Sequence, residues 1–231
     1  MTKYYDDDFY RPPESTTAGL MFPARSKLTV RGFTLAQTPA EKRWRQIISA
    51  SQGERETCLL VLADSNLWNL HDQPETVAFV DVDGCQRTHR FDYLAEYRDG
   101  LKVALAVKPA SRVDRINFRT TLKAIRRDLP MGFADKVCLV TENNRHPKEV
   151  QNAQMLNFFR RSPDEHADAL TLERIATLTE EVSINDLISP MGLGARGYRA
   201  AFRAIYGGLL QANTREFISI NSIVKPRKRN G

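Results

Sequence analysis

Short apolar runs broken by turn residues dominate the middle of the chain. Between His89 and Pro109 two such runs flank Arg98-Asp99-Gly100, and Asp-Gly between apolar segments predicts a hairpin. The first run carries Asp92 and the second ends in Val107-Lys108-Pro109. The β-branched and aromatic residues of 77–81 predict a further strand. Asp83-Gly84 then predicts a tight turn into the strand that bears Asp92. Residues 136–141 predict a short buried strand.

Other stretches follow a longer period. Thr38-Pro39-Ala40-Glu41 predicts a helix start, with Thr at the N-cap and Pro at the first helical position. Residues 53–63 predict a helix that Asp64-Ser65-Asn66 breaks. After Pro109, the spacing of Ile116, Phe118, Leu122, Ile125 and Leu129 is helical, and residues 148–160 predict another helix. Helix, hairpin, strand, helix, strand, helix is an α/β order with a mixed sheet.

The two ends differ from this core. Residues 1–40 hold Pro12-Pro13, Ser15-Thr16-Thr17 and Pro23, and predict an irregular arm with basic positions at Arg25, Lys27 and Arg31. Residues 163–231 predict three short helices: one through Leu170, Leu172, Ile175 and Leu178, one capped by Ser183 with Asp186, and one over 198–206 ended by Gly207-Gly208. A final strand is expected at 217–220. Three helices and a strand resemble a winged-helix module, which serves DNA or protein partners. The tail Lys225-Pro226-Arg227-Lys228-Arg229 is too short for secondary structure and suits phosphate contact.

Composition narrows the function classes. With 231 residues and 42% hydrophobic content, the chain can bury a core. Thirty-four Lys and Arg against 28 Asp and Glu give a net charge of +6, which favours a polyanionic partner. Cys58, Cys85 and Cys138 form no paired motif, so neither a disulfide framework nor a zinc site is expected and a reducing cytoplasm fits. No stretch approaches the roughly 18 apolar residues of a membrane span, and the polar, acidic N-terminus reads as neither a signal nor a transit peptide.

The hairpin carries the candidate chemistry. Hydrolysis of a phosphodiester requires charge neutralisation at the phosphate, an aimed water and a cationic neighbour for the developing oxyanions. Hard cations such as Mg²⁺ or Mn²⁺ take oxygen ligands, often one or two carboxylates with water and phosphate. Asp92 can supply a central carboxylate, Lys108 an ammonium, and Val107 a backbone carbonyl. Strand alternation places residues 106 and 108 on one face and Val107 on the other. Glu54, near a helix start, can complete the ligand shell. The plainer readings are a cross-strand pair for Asp92 and Lys108 and an ordinary first-turn glutamate for Glu54. The four histidines, His71, His89, His146 and His166, are scattered and predict no metal cluster.

Four motifs in order resemble the TnsA endonuclease subunits of heteromeric transposases, a branch of the PD-(D/E)xK nuclease superfamily. They are Val30-Arg31-Gly32-Phe33; the run Gly53-Glu54-Arg55-Glu56-Thr57-Cys58-Leu59-Leu60-Val61-Leu62; Asp72-Gln73-Pro74-Glu75-Thr76-Val77; and Arg90-Phe91-Asp92-Tyr93-Leu94 followed by Asp99-Gly100 and residues 103–109. The likeness spans about residues 25–160.

It implies a restriction-endonuclease-like mixed-sheet core over 41–162 after an arm over 1–40, then a winged-helix-like domain over 163–231. Glu54 and Asp92 become metal ligands with the Val107 carbonyl, Lys108 the catalytic lysine, and Mg²⁺ or Mn²⁺ the cofactor. Glu56 is a register alternative to Glu54, and Gln73 is mainly structural. The implied activity is nicking at the 5′ ends of a transposon. The implied partners are transposon-end DNA, contacted by Arg25, Lys27, Arg31, Lys225, Arg227, Lys228 and Arg229, a DDE-family transposase and an AAA+ ATPase regulator, in a bacterial cytoplasm. Ala106 departs from the pattern, because the family usually holds Glu or Gln there and a methyl group ligates nothing. A non-catalytic DNA-end-binding and assembly subunit is the alternative. A stand-alone restriction-type nuclease is a third class, for which no base-reading motif is evident.

Overall fold

The computed structural model describes residues 12–18 and 32–227. Arg25, Lys27, Arg31, Lys228 and Arg229 lie outside the described residues. The first two strands, β1 (Gly32–Ala36) and β2 (Arg45–Ser49), pair antiparallel from Gly32 opposite Ser49 to Ala36 opposite Arg45. The end of the expected arm is therefore a strand. Thr34 and Ala36 alternate inward to 5% and 0% exposure, which a solvated arm would not do.

No helix starts at Thr38. Glu41 accepts hydrogen bonds from both the amide and the hydroxyl of Thr38, and the Glu41 amide closes a turn onto the Thr38 carbonyl. The capping signature is present, but Ile47 and Ile48 just beyond it are buried as strand residues. Pairing with β1 overrides the local preference.

A buried ionic network fixes this corner. The Arg45 guanidinium donates to Asp72, 2.9 Å away, with side-chain exposures of 3% and 0%. It also reaches Glu41 and the Leu70 carbonyl. Asp72 further accepts from the Ile48 amide at 2.8 Å and from the hydroxyls of Thr16 and Thr17. Removing one partner strands a charge in the interior, so Asp72→Ala is expected to cost about 3–5 kcal/mol. The exposed Arg43–Glu14 pair should contribute under about 1 kcal/mol. Urea unfolding of Asp72→Ala and Glu14→Ala checks this ranking; equal midpoints would refute it.

The central layer follows. Helix α1 (Gln52–Leu62) leads into β3 (Leu67–Asp72), then β4 (Val77–Val80), β5 (Gln86–His89), β6 (Tyr93–Tyr97) and β7 (Lys102–Val107). Helices α2 (Ala110–Arg115) and α3 (Phe118–Arg127) precede β8 (Lys136–Val140) and α4 (Pro147–Phe159). The fold is α/β with a mixed sheet ordered β3-β6-β7-β8, in which only the β7–β8 pair is parallel. Strands β4 and β5 form a separate ribbon. The turn at Gly84, φ +78°, joins these two strands and does not lead straight to the Asp92 strand. Arg90, Phe91 and Asp92 lie between β5 and β6.

Alternation along β7 feeds two cores. Val103, Leu105 and Val107 pack with Cys58 and Leu62 of α1, while Ala104 and Ala106 pack with Val113 of α2 and with Phe118, Leu122 and Ile125 of α3. Both faces are covered, so the strand reads as a continuous apolar run. Cys58 is buried, Cys138 partly buried and Cys85 exposed, all as free thiols. Burial pushes the Cys58 thiol up to about 12, so it is inert.

The C-terminal segment forms α5 (Glu165–Ala176), β9 (Val182–Ser183), α6 (Ile184–Ile188), α7 (Ala195–Tyr206), β10 (Leu210–Ala212) and β11 (Ile223–Pro226), with the strands ordered β10-β11-β9. The three expected helices form, with Ser183 capping α6 through the Asp186 amide. The expected strand at 217–220 does not form. Ile218 is instead buried in a loop pinned to α4, its amide donating to Asn152 Oδ1 at 2.9 Å. The expected free tail is also corrected at its start, because Lys225 lies within β11. Helix α4 places Leu156 in the C-terminal core, beside Phe202 and Leu187. No helix among the described residues is long and apolar enough to cross a membrane.

Candidate functional site

Glu54 enters the site through a helix cap. Ser51 is the N-cap of α1, and its hydroxyl accepts from the Glu54 amide at 3.2 Å. The same hydroxyl donates to Glu54 Oε1 at 3.0 Å, and the Ala50 amide donates to Oε2 at 2.7 Å. These bonds and the helix N-terminus hold a carboxylate that is only 8% exposed. Each oxygen keeps lone-pair capacity beyond its capping bond.

Glu56 faces elsewhere. It accepts from Gln52 and lies 3.2 Å from Arg145 Nε. Arg145 also donates to the Gly53 carbonyl at 3.0 Å. A Cβ on Gly53 would lie 2.6 Å from that guanidinium, so a larger residue would make the Arg145 side chain shift. Of the two glutamates, Glu54 bears on the charge of Asp92, while Glu56 is paired with Arg145.

Asp92 is held by backbone on three sides. Its amide donates to the Leu105 carbonyl at 2.9 Å, and its carbonyl accepts from the Gln73 amide at 3.0 Å. Its Oδ2 accepts from the Val107 amide at 2.6 Å. Gln73 sits at φ +46°, a left-handed backbone position from which its amide reaches the Asp92 carbonyl. Among the described residues the Gln73 side-chain oxygen is buried without a hydrogen-bond partner.

Electrostatics join the groups. Burial, then the charge of Glu54, raises the Asp92 carboxyl from its ordinary value to about 7. The Val107 amide and the charge of Lys108 oppose the rise. Glu54, Asp92 and Lys108 therefore share one electrostatic neighbourhood. The Lys108 amide donates to the Val140 carbonyl at 3.0 Å, and its ammonium lies 4.7 Å from the Phe118 ring centre.

Val107 contributes through its amide, while its side chain packs on the α1 side of the sheet. Ala106 is fully buried and belongs to the apolar cluster under α2 and α3. The scattered histidines predicted no role, yet His89 joins this neighbourhood. Its ring packs edge-on to Phe91 and tilted against Phe118, with centroids at 4.8 and 5.6 Å. Burial, then Lys108, lowers it to about 4, so it is neutral at pH 7. Sequence spacing carries no signal for His89 or Arg145, because tertiary packing alone brings them here.

Lys225 and Arg227 lie elsewhere and contact their own chain. Lys225 is 3.7 Å from Glu181, and Arg227 reaches the Ser65 hydroxyl at 3.4 Å.

The donor set suits a hard divalent cation in part. Two carboxylates close enough to interact, one of them raised to about 7, form an under-compensated negative centre that a cation would relieve. Among the described residues, no group of three or more His, Cys, Asp and Glu is arranged to hold a metal ion. Water and substrate phosphate would complete the coordination. The sequence matches no protein-family model and no curated protein.

Proposed function

We propose that the chain is a divalent-cation-dependent phosphodiesterase subunit acting on DNA ends, of the kind its TnsA-like motifs imply. One arrangement carries the reading: Asp92 Oδ2 takes the Val107 amide at 2.6 Å, which sets its carboxylate at the Lys108 end of β7, where the charges of Glu54 and Lys108 both bear on it. The sheet order, with a carboxylate entering β6 and a lysine leaving β7, supports a restriction-endonuclease-like core. The helix–strand–helix–helix–strand–strand order after residue 164, with the last strand central, supports a winged-helix-like unit.

Glu54 and Asp92 would hold Mg²⁺ or Mn²⁺, which when bound supplies charge neutralisation at the scissile phosphate and lowers the pKa of a nearby water. The chain's own residues do the rest. The Val107 amide and the backbone bonds of Asp92 fix its carboxylate before substrate arrives, so little reorganisation is required. Lys108 offers an ammonium for the developing oxyanion. The ring of Phe118 lies 4.7 Å from that ammonium, and neutral His89 packs against the same ring.

The alternative, a non-catalytic end-binding subunit, is favoured by one feature: the family's third ligand position is an alanine enclosed in apolar side chains. A DDE-family transposase, an AAA+ regulator and transposon-end DNA are the partners proposed under either reading.

The test is nicking of end-containing duplex in Mg²⁺ or Mn²⁺ with the partner transposase present. We expect slow, cation-dependent nicking that Lys108→Ala lowers about 10²-fold. Tight end binding without cleavage, by this chain and by Ala106→Glu alike, would select the non-catalytic reading.

A further inference from the structure

The helices that follow Lys108 carry a basic ridge that the expected arm and tail do not include. Arg112 and Arg115 lie on α2, and Arg119 and Lys123 lie one turn apart on α3. All four are exposed. Among the described residues none of the four forms an ion pair, whereas Arg45, Arg145, Arg196 and Arg203 all do. The nearby acids do not neutralise the ridge. Asp114 is a single opposing charge, Glu142 accepts from the Ala110 amide, and Asp128 is paired with Arg127.

The ridge starts beside the candidate site. Arg112 is four residues beyond Lys108, and Arg119 follows Phe118, whose ring meets the Lys108 ammonium. We propose that Arg112, Arg115, Arg119 and Lys123 form a track for the phosphates of duplex DNA leading toward Lys108 and Asp92. This rests on the nucleic-acid reading of the site and names the surface that would grip the substrate.

Chemistry favours nucleic acid over an anionic membrane. A basic amphipathic helix binds a bilayer by inserting its apolar face. Here that face is already spent, since Phe118, Leu122, Ala124 and Ile125 of α3 and Val113 of α2 are buried in the protein core. Ile116 is left as one exposed apolar side chain between the helices. Basic side chains dominate the outward face, which suits a soluble polyanion whose affinity comes from counterion release.

The experiment is a salt titration of duplex binding, read by fluorescence anisotropy, with the full chain. Replacing Arg112, Arg115, Arg119 and Lys123 by Gln should make the slope of log K against log salt shallower by roughly 3 to 4. A control with Lys225→Gln and Arg227→Gln should leave the slope near wild type. Circular dichroism of each variant should match wild type, as the residues are exposed. A wild-type slope in the quadruple variant would overturn the track while leaving DNA binding intact. So would an equal loss per charge in the control, because attraction would then be diffuse. Loss of phosphatidylserine-vesicle binding with unchanged duplex binding would assign the ridge to a membrane and overturn the proposal. A wild-type chain with no measurable duplex affinity would remove the nucleic-acid reading itself.

Discussion

Asp92→Asn is expected to raise the thermal stability of the metal-free protein at pH 8 while lowering divalent-dependent nicking about 10³-fold. The two effects have one cause. Folding raises the Asp92 carboxyl to about 7, chiefly through burial and the charge of Glu54. From the ordinary carboxylate range up to about pH 7, the folded chain keeps a proton that the unfolded chain has released. The contribution of Asp92 to stability therefore falls as pH rises through that window and is lowest above pH 7.

Asparagine retains an oxygen for the Val107 amide and carries no charge, so it escapes the penalty. The gain at pH 8 is expected to be about 4 kcal/mol, shrinking toward zero by pH 4. Added Mg²⁺ should stabilise wild type by about 2.7 kcal/mol at a hundredfold excess over its dissociation constant and leave the asparagine variant unmoved. Melting curves at pH 4 and pH 8, with and without Mg²⁺, check this. A variant less stable than wild type at pH 8 would show that Asp92 serves the fold as an ionised group, and the metal assignment would lose its basis.

Ala106→Glu tests whether residue 106, where the TnsA-like pattern would place a third ligand, can serve a cation. The methyl group is fully buried among Phe91, Val113 and Phe118 in the cluster beneath α2 and α3. A carboxylate placed there overpacks the core and loses hydration, at about 3–5 kcal/mol in the absence of a partner. For a chain of this size that corresponds to a fall of roughly 10 °C in melting temperature. Lys108 lies two residues along the same strand face, so the new carboxylate has a cation within reach. With Mg²⁺ present, most of the loss should be recovered and nicking should rise about 10²-fold over the parent. A fall in melting temperature indifferent to divalent ions would place residue 106 in the core alone, and the end-binding reading would stand.

Much of the central layer was legible because it is local. The Asp99-Gly100 turn, the body of helix α1 with Glu54 near its start, and the apolar run of β8 each declare themselves within a dozen residues. The pairing of Asp92 with the end of β7 was legible for the same reason, since a hairpin fixes its own register. What misled was a local signal overruled from a distance. Thr38 and Glu41 make the bonds of a helix cap, but Asp72 draws Arg45 inward and β1 claims residues 45–49 as a strand. Residues 217–220 look like a strand, yet Asn152 of α4 takes the Ile218 amide that a ladder would use. His89 and Arg145 gave no warning because both reach the site only through contacts made after the chain folds.

Helix α4 has a consequence for anyone dividing this protein. It donates Leu156 to the C-terminal core, lays Asn157 against the Leu59 carbonyl of α1, and ends at Arg160, whose guanidinium lies over Trp44 and Tyr206. It acts as a keystone between the two halves. A truncation at residue 162 would leave this helix with one flank bare and deprive the remainder of a wall. The halves are better expressed as one piece, and an inactive fragment would say nothing about where activity resides.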